Sequence, residues 1–242
     1  VHEALRRWIL ADGFHLVLDP ERSQGTYLYD ALGERRFLDF YSFVASLPIG
    51  YNHPKMADPE FRRRLLRAAL IKPSNPDIYT VEYAEFVTTF SRIAGQGMFQ
   101  HYFFIDGGAL AVENALKAAF DWKVRKNLQR GLAPLGQQVI HFRQAFHGRS
   151  GYTLSLTNTF DPRKTQYFPT FNWPRIINPK CVFPMTEENL DQVQRLETQA
   201  LREVQDALLR NPHDIAALII EPVQGFSGRK KNYFTSDKKR KC

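Results

Sequence analysis

Apolar side chains return at helical spacing in ENLDQVQRLETQALREVQDALLRN (188–211), and Asn211-Pro212 closes the run, so an amphipathic helix is predicted there. A second long helix is predicted in ALAVENALKAAFDWKVRKN (109–127), whose cations gather near its C-terminal end, where the helix dipole favours them. Around these helices lie short apolar runs, YFFID (102–106), QVIHF (138–142) and IAALIIEP (215–222), each read as a buried strand. Strands separated by long helices predict a parallel sheet with helices on both faces. The earlier stretch FHLVLDPERSQGTYLYDALGERRFLDF (14–40) alternates apolar and polar residues around turn signals at Asp19-Pro20 and Gly33, which predicts a small antiparallel meander. Pro54, Pro59, Pro73 and Pro76 then punctuate a mixed region with helices expected near 59–71 and 79–94.

Charge changes this picture only at one end. The formal net charge is +8, but residues 226–242 carry seven Lys and Arg against one Asp, so the rest of the chain is close to balance. A broad basic face for nucleic acid is therefore not expected, although a short basic tail attracts polyanions weakly and without sequence preference. Cys181 and Cys242 are far apart in sequence, which suggests neither a disulfide framework nor a metal cluster and fits a reducing compartment. No apolar run approaches the roughly 20 residues that span a bilayer, and no signal-peptide core opens the chain, so a soluble cytoplasmic protein with no membrane partner is expected. The chain begins with Val1, which suggests a processed or partial chain.

In an open parallel sheet, ligands gather at the carboxyl ends of the strands. Three such ends carry candidate chemistry. In FFIDGGALAVENALK (103–117) two glycines allow close backbone approach, and the helix that follows aims unpaired N–H groups at an anion. A tight strand-to-helix turn with no ligand reads equally well, and the absence of Gly-Lys-Ser/Thr rules out a Walker P-loop. In QAFHGRSGYTLSLTN (144–158), Phe146 could stack on a planar ring and Arg149 could grip a carboxylate through two parallel hydrogen bonds. The bland alternatives are a core phenylalanine, a hydrogen-bonded loop histidine at His147 and a surface arginine. Gly148-Arg149-Ser150-Gly151 is not the nucleophile elbow of a serine hydrolase. At the third end, Glu221 closes a strand too apolar for a free charge; it either lines a ligand site or is a structural carboxylate satisfied by backbone donors.

Taken in order, GGALAVENALKAAFDWK, AFHGRSGYTLSLTN and IIEPVQG, with SFVASLPIGYNHP upstream, resemble the class III, pyridoxal-phosphate-dependent aminotransferases, and among them the lysine 6-aminotransferase branch. The resemblance covers roughly residues 14–225. It implies an α/β fold, the type I fold of pyridoxal-phosphate-dependent transferases, with a partial parallel sheet flanked by helices and an N-terminal small-domain strand meander. It implies three segments: 1–58 with the small-domain strands, 59–225 as part of the large cofactor domain, and 226–242 as a basic tail outside the family pattern. It further implies that Gly108 and Ala109 hold the phosphate of pyridoxal 5'-phosphate, that Phe146 packs on the pyridine ring with His147 beside it, and that Arg149 binds a carboxylate of 2-oxoglutarate. Glu221 would belong to the site floor, ordering its neighbours rather than moving a proton. The reaction implied is transfer of the terminal amino group of L-lysine to 2-oxoglutarate, in a homodimer when intact.

The chain also departs from the family. Class III enzymes continue past E-P-(I/V)-Q-(G/S) with E-G-G, but Phe226 stands where the second glutamate belongs. Neither the aspartate that pairs with the pyridinium nitrogen nor the lysine that holds the cofactor covalently is recognisable, so no catalytic residue is assigned. The expectation is a fragment that does not itself transaminate, its tail arising from a frame-shift, an intron or a truncation. Two other readings are a catalytically dead binding protein with a polyanion-attracting tail, and a class III enzyme acting on ornithine or 4-aminobutyrate.

Overall fold

The computed structural model describes residues 1–74, 77–158, 163 and 165–222. The predicted basic tail, 226–242, lies outside the described residues. The chain divides into two compact units, Val1–Gln100 and His101–Cys242. This division by compactness is distinct from the family-based boundary at residue 58, which remains a proposal.

In the first unit, α1 (His2–Arg6) precedes an antiparallel hairpin of β1 (Tyr27–Asp30) and β2 (Arg35–Leu38), with Tyr27 opposite Leu38 and Asp30 opposite Arg35. The hairpin bears out the predicted meander. Asp30 builds the turn by accepting the N–H groups of Leu32 and Gly33, each at 3.0 Å, and of Val17 at 2.8 Å. The next element, α2 (Ser42–Ala45), is a turn in which Ser42, Phe43 and Val44 have positive φ. Both predicted helices follow, α3 (Pro59–Ala69) and α4 (Val81–Phe90). Each begins where a side-chain oxygen caps it: Asp58 accepts from Phe61 N at 2.7 Å and Thr80 from Tyr83 N at 3.1 Å. Among this unit's described residues Tyr51 is the one buried large hydrophobic side chain.

The second unit holds the parallel sheet. Its order is β4 (Arg175–Ile176), β3 (Gln138–Phe142), β5 (Ile215–Leu218), with β3 parallel to both neighbours. Because side chains alternate along a strand, Ile140 and Phe142 face one side and Val139 the other. Ile140 and Phe142 pack with Ala145, Ile176, Ile215 and Ala207, the last from α7 (Glu187–Arg210). Val139 packs with Leu116 of α5 (Gly108–Gln129), Leu156 of α6 (Gly151–Leu156) and Trp173. Helices therefore cover both faces, as the alternating pattern predicts. The opposite end of the sheet is tied by Asn127, whose fully buried amide donates to Leu135 O at 2.7 Å and His213 O at 2.9 Å.

Three features differ from the sequence reading. Tyr102–Asp106 belongs to no strand ladder among the described residues, and Phe103 is 71% exposed. Apolar character favours burial but does not supply the neighbouring strand that a ladder needs. The strand predicted through residue 222 ends at Leu218, and only Ile215 in it is buried. The segment predicted as a Gly-spaced loop contains α6, where a reciprocal cap between Ser150 and Thr153 overcomes the flanking glycines.

Candidate functional site

The site grows from the carboxyl ends of β3 and β5 and the start of α5. Gly107 caps α5 with φ +83°, and no side chain caps the first turn there. A Cβ placed on Gly107 or on Gly108 would meet nothing within 4 Å. The helix therefore points its unsatisfied first-turn N–H groups and positive dipole end into open space, which is the physical requirement for holding an anion.

The segment after β3 returns to this helix start. At Gly148, φ is +125°, and a Cβ there would lie 2.7 Å from Ala109 Cβ and 2.7 Å from Thr153 Oγ1. Only a glycine fits this position, both in backbone conformation and in space. The contact seats this loop, at Gly148, against the first turn of α5. Thr157 fixes the same loop from behind: its hydroxyl accepts His147 N at 3.0 Å and donates to Gly148 O at 2.6 Å. Asn158 N closes the base of the loop on Ala145 O at 2.9 Å.

Glu221, three residues beyond β5, accepts the backbone N–H of Phe146 at 2.5 Å. The carboxylate is thus satisfied by a backbone donor, and through that bond it sets the position of the aromatic residue. This geometry agrees with the reading of Glu221 as a carboxylate satisfied by a backbone donor. His147 is 8% exposed, and its Nε2 is a buried side-chain atom without a hydrogen-bond partner among the described residues. Burial lowers the imidazole pKa, opposed by the negative charge of Glu221. The half-buried Phe146 lies on the same loop.

Gly108, Ala109, Phe146, His147 and Glu221 are therefore gathered through Gly148 and the Glu221 bond. Arg149 joins them by chain adjacency: its side chain is exposed, and no ion pair among the described residues engages it. Sequence reasoning missed Glu113, Ser150, Thr153 and Thr157, the groups that hold the loop. Ser150 and Thr153 left a signal in their capping spacing. Glu113 left only a charge beside the apolar stripe Val112, Leu116 and Phe120.

Behind the site, His141 is 1% exposed. Its Nδ1 lies 3.2 Å from Val139 O, and its Nε2 accepts Arg175 Nε at 2.9 Å. Burial, more than the neighbouring Arg175 charge, lowers its pKa to about 4. Arg175 in turn donates to Ser155 O in α6 at 2.8 Å. Among the described residues no group of His, Cys, Asp and Glu could hold a metal ion, and no helix is long and apolar enough to cross a membrane.

The family model for class-III aminotransferases matches residues 10–236. The L-lysine-epsilon aminotransferase of Mycobacterium tuberculosis is 53% identical over 94% of this chain and 50% of its own length. That of Amycolatopsis lactamdurans is 49% identical over 98% of the chain and 52% of its own length. A solved structure of the M. tuberculosis lysine aminotransferase superposes with a TM-score of 0.86 over 93% of this chain and 51% of that one. The chain thus spans about half the length of the curated relatives it matches.

Proposed function

The chain belongs to the class-III aminotransferase family, and on that premise we propose that the site beside α5 holds pyridoxal 5'-phosphate for transfer of the terminal amino group of L-lysine to 2-oxoglutarate. The activity proposed is that of the whole protein. The observation that carries the reading is the Gly148 contact with Ala109, which unites an anion-binding helix start with an aromatic, an imidazole and a guanidinium on one loop.

The residues present fit the cofactor on two counts. Open space lies over Gly107 and Gly108 where a phosphate would sit, and His147 carries a buried Nε2 that still needs a polar partner. The N–H groups of Gly108 and Ala109 would receive the phosphate. Phe146 would lie against the ring, held by its N–H bond to Glu221, with His147 beside it. Arg149 would bind a carboxylate of 2-oxoglutarate, a task suited to the planar guanidinium fork. When bound, the cofactor supplies the electron sink; the chain supplies position, charge and exclusion of water. Glu221 keeps its role as a fixed acceptor on the site floor and moves no proton. The same reading includes a homodimer, supported at the level of the family, and a cytoplasmic location, with which two cysteines far apart in sequence agree.

The test is glutamate formation from L-lysine and 2-oxoglutarate by the whole, full-length protein that carries these residues, compared with its Arg149→Lys variant. The lysine keeps the charge but loses the fork, so KM for 2-oxoglutarate rises by about tenfold or more while pyridoxal phosphate affinity is retained. Glutamate formation that is independent of lysine, or a KM unmoved by Arg149→Lys, refutes the corresponding part of the proposal.

A further inference from the structure

Glu113 occupies the second turn of α5 and is 8% exposed, an unusual place for a carboxylate outside an ion pair. Its partners are on the next element. Glu113 Oε1 accepts Ser150 Oγ at 2.8 Å and Thr153 N at 3.0 Å. Gly151 lies directly beneath it, since a Cβ there would stand 3.7 Å from both carboxylate oxygens. Burial pushes the Glu113 pKa up, but the donors from Thr153, Ser150 and Tyr152 outweigh that and hold it below the usual carboxylate range. The group is therefore ionised, and its Oε1 is held by two donors from the start of α6.

Its position along the loop gives this bond a consequence for Arg149. On one side of Arg149, Gly148 is pressed against Ala109 of α5. On the other, Ser150 is bonded to Glu113 of the same helix and reciprocally to Thr153, with Ser150 N donating to Thr153 Oγ1 at 3.1 Å. The backbone of Arg149 is thus pinned at both neighbours to one rigid helix, while its side chain stands exposed.

We infer that Glu113 is a positioning residue for Arg149, fixing the backbone from which the guanidinium reaches the carboxylate of the amino acceptor. The inference rests on the assignment of Arg149 made under Proposed function. Glu113 touches neither substrate nor cofactor in this role; it acts through Ser150. A misplacement of about 1 Å at a binding group is enough to cost orders of magnitude in a reaction that depends on orientation.

The test uses Glu113→Ala, Glu113→Gln and Ser150→Ala in the whole, full-length protein that carries these residues, with two readouts. In the cofactor-free protein, trypsin cleaves after exposed arginines. Cleavage at Arg149-Ser150 becomes about tenfold faster in Glu113→Ala, moves in the same direction in Ser150→Ala, and stays near the parent rate in Glu113→Gln, whose amide oxygen still accepts both donors. In the lysine and 2-oxoglutarate assay, Glu113→Ala raises KM for 2-oxoglutarate by about tenfold with a smaller change in kcat, and Glu113→Gln restores it. If Glu113→Ala does not fold, Ser150→Ala carries the same expectations. Unchanged cleavage, or a KM that stays put while kcat falls, overturns the inference and leaves Glu113 as a structural group only. If Arg149→Lys itself leaves KM for 2-oxoglutarate unmoved, the assignment of Arg149 fails instead, and the two failures are distinguishable.

Discussion

Replacing Gly148 by alanine puts a methyl group where the structure has no room. The new Cβ would lie 2.7 Å from Ala109 Cβ, 2.7 Å from Thr153 Oγ1 and 3.0 Å from Ala109 Cα, at a φ of +125°. Carbon atoms rest about 3.5–4.0 Å apart, so the loop or the helix must retreat by close to an ångström. Neither can do so freely, because Thr157 and Glu113 hold the loop on both sides. Overpacking of this kind costs about 1–3 kcal/mol, and the unfavourable backbone region adds about 1–3 kcal/mol. The natural control is Gly131→Ala: Gly131 has φ +71°, yet a Cβ there meets nothing within 4 Å, so it carries the backbone cost alone. Urea unfolding followed by the fluorescence of Trp173, itself buried against Leu156 and Val139, reads both variants in the same unit. Gly148→Ala is expected to lose about 1–3 kcal/mol more than Gly131→Ala and to weaken pyridoxal phosphate binding, which Gly131→Ala does not. Adding Ala109→Gly should recover part of the loss, since the two sites are in contact. Equal losses in the two single variants would refute the claim that the loop is seated on α5 at this point.

Two further outcomes follow from the core of the second unit. His141 has a folded pKa near 4 against about 6.5 unfolded, so the unfolded state binds the extra proton between those values. Its stabilising contribution is complete above pH 6.5 and is lost as pH falls toward 4, by about 3 kcal/mol in all; unfolding free energies at pH 7 and pH 4 should fall less steeply in His141→Gln, and parallel slopes would contradict the assignment. Asn127→Ala removes the buried amide that serves Leu135 O and His213 O and should cost about 1–3 kcal/mol, whereas Asn114→Ala, which removes an exposed bond to Leu110 O, should cost less than about 0.5 kcal/mol; similar denaturation midpoints for the pair would count against the buried bridge.

The sequence by itself determined the elements whose signals are local. The periodicity of α5 and α7 and the apolar run of β3 depend on neighbours within a turn or two, and each of these elements stands where its pattern put it. The same was true of the glycines at 107, 108 and 148, whose freedom is written in the residue type. What the sequence could not determine was partnership. Tyr102–Asp106 has the composition of a strand but not a ladder, and β5 stops at Leu218, because hydrogen bonds between strands are supplied by distant segments. Only the tertiary structure decided that Gly148 would meet Ala109, that Glu221 would hold the N–H of Phe146 across 75 residues, and that Glu113 would close α6 rather than face water. These contacts join residues with no local relation. A carboxylate on a helix reads as a solvated charge until the fold removes water from it and brings donors to it instead.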